Sequence, residues 1–587
     1  MIRKKLTVLC CAFVLLVNSV ACGSADSSNE TNETKERKTE KSVVATTEQA
    51  LPEEPVTVEP TTEESYDIES ELDRKIQAAL YDVEHASDDV TLEWPTEVEA
   101  SPSGVPSIFL EYHDNISQNL GGFTMFQSCY AILWMPENQV ADFSGIKKAI
   151  DTFNSEFERG PKYFSDKELV EIFEKAEEKS DDKDSKYRGY SDIYTPSITR
   201  IDDQVLSVLV EYENTNSVAN GYKAKEGYTY NAETGEKMLV SDVVSSVEEL
   251  KAVAEEILSV DYADVIESEP GVEKAFDESF SDESELQWTL GPTYLSLYYN
   301  SDTSTYLKVG TLEVKVRYED YPDLFDKGIG EASGDWVIRL TKQDSNNSDN
   351  VSYTLAEDIG GDEKLENISV SGNLSIDTGV DHFDQELYEM LGGSYLIKSG
   401  DKYLLYVICQ GDNDYDAIWT FDVTGGNIKD MGFQNGEISA AIPQLDYDTV
   451  AEYYIRTSGL LYDPQSFYLK EPQRLLSSYS GSKHCKVADD GTIEALDNSY
   501  RVFCMSKLTS KQDLDLDIID ENGNVTSSDT IPSGTEFTFY KSDGETYVDF
   551  IIDGGRIVRV TIDTSDYPQK VNGMDVQEVF SGMLYAG

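Results

Sequence analysis

The sequence predicts an α+β N-terminal half followed by an all-β C-terminal half. Three observations lead there. Between about residues 96 and 342, helical apolar spacing alternates with strand-like runs. Beyond a polar stretch at Asp344–Asn350 (DSNNSDN), short strands follow one another with Gly/Asp/Asn turns and few helices. Hydrophobic residues make up 39% and aromatics 11% of 587 residues, enough apolar material for several cores.

Arg3, Lys4 and Lys5 precede an apolar run, Leu6–Val17, that is too short to span a bilayer at about 1.5 Å per residue. It reads as a secretory signal. Ser19-Val20-Ala21-Cys22-Gly23 resembles a bacterial lipobox, in which Cys22 becomes the lipid-bearing N-terminus. Residues 1–21 are then the signal peptide, and lipid at Cys22 is the expected membrane attachment, on the outer face of the cytoplasmic membrane. Residues 22–65 are Ser/Thr/Glu/Pro-rich without apolar periodicity, an acidic tether. In 66–95, Ile68, Leu72, Ile76, Leu80 and Val83 give a short amphipathic helix and linker.

In 96–200, Ser107–Tyr112 and Phe123–Met135 read as strands, and Phe143, Ile146, Ile150, Phe153 and Phe157 as one helix face. Ser165 and Glu168 give a capping box before a second helix. In 201–342, Val205–Tyr212 and Tyr222–Tyr230 read as strands leading into the turn Asn231–Gly235. Ser246 and Glu249 cap a helix with Leu250, Val253, Ala254, Ile257 and Leu258 on its inner face. Gln287–Tyr299 reads as two strands broken at Gly291-Pro292, and Leu312–Tyr318 alternates as a half-buried strand. After a linker at 343–350, 351–506 is a β-rich region with a propeller-like arrangement. Residues 507–587 hold a small SH3-like barrel near 507–563, with a hairpin at Asp553-Gly554.

Charge narrows the function. With 112 Asp+Glu against 47 Lys+Arg, the net charge is −65, so a nucleic-acid partner is excluded by phosphate repulsion. The four histidines, His85, His113, His382 and His484, are too scattered for H-x-x-x-H metal motifs. No G-x-S-x-G nucleophile elbow surrounds any of them, and no carboxylate pair stands out as a glycosidase site. No catalytic residue is assigned, and a non-enzymatic role is expected.

Three acidic clusters are candidate Ca²⁺ sites, and no other cofactor is expected. Asp412, Asp414 and Asp416 lie in G-D-N-D-Y-D. Asp358, Asp362 and Glu366 look like a degraded calcium turn of a propeller blade, and Asp513, Asp515 and Asp517 alternate along a strand. Each also reads as a solvated Asp-rich turn or edge. From Glu248 to Glu285 there are fourteen Asp/Glu and only two lysines. Asp264, Glu267, Glu269 and Glu273 are the candidate contacts for a cationic partner. Cys485 and Cys504, nineteen apart, are a candidate disulfide, and Cys129 and Cys409 are expected to be buried thiols.

The runs Val208-Leu209-Val210-Glu211-Tyr212, Tyr228–Val244 and Val316–Tyr321 resemble a bacterial extracytoplasmic domain of unknown function. It is the domain shared by the lysozyme-sensing sigma-V anti-sigma factor and a peptidoglycan N-acetylmuramic-acid deacetylase. The resemblance covers roughly 250 of 587 residues, with 96–200 as an accessory domain. It implies an α+β module able to bind lysozyme. Sigma-binding and transmembrane segments are missing, as are the deacetylase's Asp and paired His, so neither activity is expected. The reading is a lipid-anchored surface protein binding a cationic wall-associated protein such as lysozyme, or a wall component such as peptidoglycan. The alternatives are a peptidoglycan-active enzyme or accessory, and a structural envelope lipoprotein.

Overall fold

The computed structural model describes residues 92, 93, 98, 101–120, 123–157, 190–215, 222–269, 271–300, 310–326, 328–330, 334–343, 351–362, 364–372, 374–386, 390–411, 416–439, 444–445, 460–503, 506–565 and 567–585. The signal sequence, Cys22, the tether and the expected helices at 68–83 and 165–176 lie outside them.

The first sheet runs in chain order through β1 (Phe109–Leu120), β2 (Phe123–Trp134), β3 (Tyr190–Ile201), β4 (Val205–Thr215) and β5 (Tyr222–Asn231). All pairs are antiparallel except β2–β3, which is parallel and so needs a crossover. Helix α1 (Ser144–Phe157) lies in that connection and turns Ile146, Ala149, Ile150 and Phe153 onto the sheet. The Phe153 ring meets Tyr228 edge-on at 5.3 Å. The expected boundary at 200–201 falls at the β3–β4 hairpin, whose turn is closed by Asp202 Oδ1 accepting from the N–H groups of Gln204 and Val205. The strands on either side of that boundary therefore share one sheet.

Ser246 caps α2 (Val247–Asp261) by accepting from Glu249 N–H at 3.2 Å. Leu250, Ala254 and Leu258 are its buried stripe. Short helices α3 (Ala263–Ser268) and α4 (Gly271–Ser279) follow, the latter burying Val272 and Phe276. They cover the antiparallel sheet β6 (Gln287–Leu290), β7 (Tyr294–Asn300) and β8 (Thr311–Arg317).

The two sheets meet along β5, the last strand of the first. Its outward backbone groups are satisfied by side chains rather than by another strand. Asn300 accepts from Lys225 N–H and donates to Lys225 C=O, Gln287 Oε1 accepts from Gly227 N–H, and Thr311 donates to Lys223 C=O. The edge of β8 is closed in the same manner. The Tyr262 hydroxyl donates to Glu313 C=O at 3.0 Å and accepts from Glu313 N–H at 3.1 Å. Buried strand edges cost free energy unless paired, and here side chains do the pairing.

The C-terminal half is all-β and propeller-like. One five-stranded antiparallel sheet joins Trp336–Arg339 to Met390–Ser399, Lys402–Gln410, Ala417–Asp422 and Lys429–Asn435. A second joins Thr341–Gln343, Ser352–Glu357, Glu366–Ser371, Ser375–Asp377 and His382–Asp384. Leu355, Ile368, Val370, Leu396, Leu405 and Phe421 fill a common core. Residues 344–350 lie outside the described residues, but the strands flanking them pair, Thr341 opposite Thr354. The same core takes in Tyr294 and Trp336 from before that stretch. Across it, buried Arg317 meets buried Glu357, which also accepts from Thr293 at 2.9 Å.

The strands after residue 507 join one larger sheet that begins at Glu437–Ser439, and Leu514, Leu516, Phe537, Phe539, Phe550, Val558 and Phe580 share their core with Leu475, Tyr479 and Val502. The expected hairpin is present, with Ile552 opposite Arg556 and Gly554 at φ +79°. Two cysteine expectations fare differently. Cys409 is a buried thiol, as expected. Cys485 is free rather than disulfide-bonded. On its strand Cys485 stands opposite Phe467 and Ala495 of the neighbouring strands. Cys504 itself lies outside the described residues.

Candidate functional site

Helices α2–α4 turn their apolar residues onto β6–β8, which leaves the opposite face to charge. Of the fourteen carboxylates between Glu248 and Glu285, ten are exposed: Glu248, Glu249, Glu256, Asp261, Asp264, Glu267, Glu273, Glu278, Asp282 and Glu285. Both lysines are already engaged. Lys251 is paired with Asp277, and Lys274 with Glu278 at 2.6 Å, one helical turn on. The Lys251 hydrogen bond holds Asp277 below the usual carboxylate range. Glu255 is pushed up, by burial first and then by its hydrogen bond with Asp277. Burial raises Asp261. A surface in which carboxylates crowd and the local cations are spent attracts further positive charge. Asp264, Glu267 and Glu273 are exposed on this face, and Glu269, half-buried, joins α3 to α4.

The second acidic cluster closes a turn. Oxygens of Asp358, Asp362 and Glu366 lie within 4.8 Å of one another. Glu366 Oε2 accepts from the N–H groups of Ile359 and Gly360, Asp358 Oδ1 from Gly361, and Lys364 Nζ bonds Asp362 at 2.5 Å. The donors are hard oxygens suited to Ca²⁺, but the turn already supplies partners of its own. Of the other candidates, Asp412 and Asp414 lie outside the described residues. Asp416 is half-buried, and its carbonyl accepts from Gly436. Asp513, Asp515 and Asp517 do share an exposed face. The latter two accept from Thr530 and Ser528 at 2.6 and 2.7 Å, and Asp513 takes Ser533 N–H.

A half-enclosed ion pair where the two sheets meet was not singled out from the sequence. Lys225 on β5 and Glu313 on β8 form an ion pair of 2.8 Å whose side chains are only 17% and 13% exposed. Ser296 donates to the other Glu313 oxygen at 2.9 Å, and Lys315 approaches it at 3.7 Å. Burial alone would push Glu313 up, but the charges of Lys225 and Lys315 and these hydrogen bonds bring it down to about 2. Lys225 is raised correspondingly: burial would lower it, and Glu313 more than offsets that. Both residues sit in alternating strand patterns in which a charged side chain normally faces water, so the sequence carried no signal for this pair.

No protein-family model matches the chain, and no curated protein matches it. Solved structures with some likeness are DUF3298 family proteins. One, from Bacteroides fragilis, is 16% identical with a TM-score of 0.28 and covers 39% of this chain and 98% of its own. Another, from Pseudomonas aeruginosa, is 12% identical with a TM-score of 0.25 and covers 38% and 96%.

Proposed function

We propose that this chain is a lipid-anchored, non-enzymatic protein of the bacterial envelope whose helical face captures a cationic wall-associated protein, lysozyme being the first candidate. The observation that carries this reading is the stretch from α2 to the turn after α4, which exposes ten carboxylates and whose two lysines are both already paired. A basic partner relieves the mutual repulsion and is steered to the face.

The test is the affinity for lysozyme at about 50 to 500 mM salt, with long-range attraction falling as the Debye length shortens. Changing Asp264, Glu267, Glu269 and Glu273 together to Asn/Gln is expected to weaken binding about ten-fold at physiological salt. Equal binding by that variant would remove the face from the proposal. Anchoring is checked separately. Cys22→Ala is expected to release the protein from membranes, since no helix among the described residues is long and apolar enough to cross one. A variant that stays with membranes after a high-salt wash would refute the lipid assignment.

A further inference from the structure

Residues 460–466 strap the first sheet to the all-β half. Successive side chains enter different cores. Leu460 and Tyr462 pack against the core of the first sheet, which includes Leu133 and Phe153, whereas Leu461 joins Ile397, Leu404 and Phe467. On one side the strap holds the chain that leads into β1. The Tyr462 hydroxyl accepts from Ile108 N–H at 2.7 Å and donates to Pro106 C=O at 3.0 Å. Asp463 Oδ2 accepts from the hydroxyls of Ser101 and Ser103, the second at 2.6 Å. On the other side, Asp463 Oδ1 accepts from Gln465 N–H at 2.9 Å, and the Gln465 amide donates to Asp335 at 2.9 Å. Pro464 C=O takes Val487 N–H at 2.7 Å. Asp463 is 4% exposed, and the three groups bonded to its carboxylate are neutral.

We propose that this junction is an acid-tightened latch: a proton taken up at Asp463 locks residues 101–108 onto the strap, and its loss slackens them. An ionised carboxylate shut away from water among neutral partners carries an uncompensated charge. The charged group acting on it, Asp335, has the same sign and is tied to the strap through Gln465. Burial first, with the Asp335 charge added, holds the Asp463 carboxyl above the usual aspartate range, although the bonds from Ser101, Ser103 and Gln465 pull the other way. Protonation leaves the junction bonded. The Ser101 and Ser103 hydroxyls lie 2.7 Å apart and either can donate, so an Asp463 O–H can donate to Ser101 Oγ while Ser101 donates to Ser103 and Oδ1 keeps Gln465 N–H. Ser103 is exposed and gives the proton its route from water. A raised carboxyl binds its proton more tightly in the fold than in the unfolded chain. Its contribution is therefore full below the ordinary 3.8 and is lost as pH rises through the raised value. Two other titratable groups touch the strap. Burial pushes the Tyr462 phenol up, so it stays protonated. His484 Nε2 bonds Ser466 Oγ at 2.8 Å, so its titration needs its own control. The latch uses none of the carboxylates of the helical face, so either proposal can fail alone.

The test is amide exchange of the detergent-solubilised full chain at about pH 5 and about pH 7.5, corrected for the intrinsic exchange rate. Protection of residues 101–108 and 460–466 is expected to be about five-fold greater at the lower pH, while the core around Phe537 and Phe550 changes by less than about two-fold. Asp463→Asn puts a neutral amide where the carboxylic acid stands and is expected to hold the higher protection at both pH values. Asp335→Asn removes the like charge and is expected to move the response to lower pH. His484→Gln is expected to keep the native response. Equal protection of the native chain at the two pH values, or a native pH response in Asp463→Asn, would overturn the latch. A rise shared equally by the Phe537 and Phe550 core would make the change global and refute it as well. So would a response that His484→Gln abolishes, which would place the titrating group on the histidine.

Discussion

Glu313→Gln is expected to destabilise the protein by about 3–5 kcal/mol at neutral pH, because it leaves the Lys225 ammonium without its counter-charge inside the fold. The substitution keeps the side-chain shape, so the loss is electrostatic. The Lys225 ammonium lies over the Tyr298 ring at 5.4 Å, on a backbone that the Asn300 amide holds in place. Removing both charges, Lys225→Met with Glu313→Gln, is expected to recover most of the loss, as apolar replacements of buried pairs commonly do. Urea denaturation of the four chains of this cycle gives the answer. A single variant that costs under about 1 kcal/mol, or a double variant no better than the single, would show that the pair is solvated.

The same pair sets a pH dependence. Glu313 is depressed from the ordinary 4.5 of a glutamate to about 2 in the folded chain. A depressed carboxylate stabilises the folded state fully above its unfolded value and loses that contribution as pH falls through the folded one. The contribution, about 3 kcal/mol by the shift, is therefore present above about pH 5 and fades toward pH 2. The stability gap between the native chain and Glu313→Gln is expected to narrow over that window in acid unfolding.

What the sequence revealed depended on how locally each feature is determined. The β8 strand is legible because Leu312, Val314 and Val316 alternate with charge, and all three are buried. The turn after β5 is legible because Asn231 Oδ1 accepts from Glu233 and Thr234 N–H while Gly235 takes φ +66°. The α2 cap is likewise local. Strand β3 was missed because YSDIYTPSITRI carries Pro196 and few apolar residues. It survives as a strand beside β4, where Pro196 stands opposite Val210, while its pairing with β2 stops at Ile193. The strands across 200–201 and on either side of 344–350 pair for reasons no linker composition encodes. Lys225 and Glu313 lie 88 residues apart, and only the meeting of two sheets makes them partners. The acidic face was legible because its charge is written in consecutive residues.

Gly227→Ala is expected to cost about 3 kcal/mol or more, by a route that has nothing to do with charge. Gly227 sits in β5 opposite Leu209, where the backbone of β6 crosses it. A Cβ built there would stand 2.0 Å from the Trp288 carbonyl oxygen, 2.5 Å from its carbon and 2.7 Å from its nitrogen. Each of these is main chain, so no rotamer change can make room. Relief requires β6 to move away from β5. That movement breaks the Gln287 bond to Gly227 N–H and the Ser207 hydroxyl bond to Leu290 N–H, and it opens the packing of Trp288. Lost hydrogen bonds in a closing seam leave buried donors unpaired, which adds to the steric cost. Because the seam joins the first sheet to the sheet under the acidic helices, the variant is expected to loosen both. Amide exchange should quicken along β5 and β6 together, while the separate core around Phe537 and Phe550 keeps its protection. If Gly227→Ala instead unfolds within about 1 kcal/mol of the native chain with unchanged exchange, the two backbones do not touch, and the seam on which the α+β half is built is looser than this packing requires.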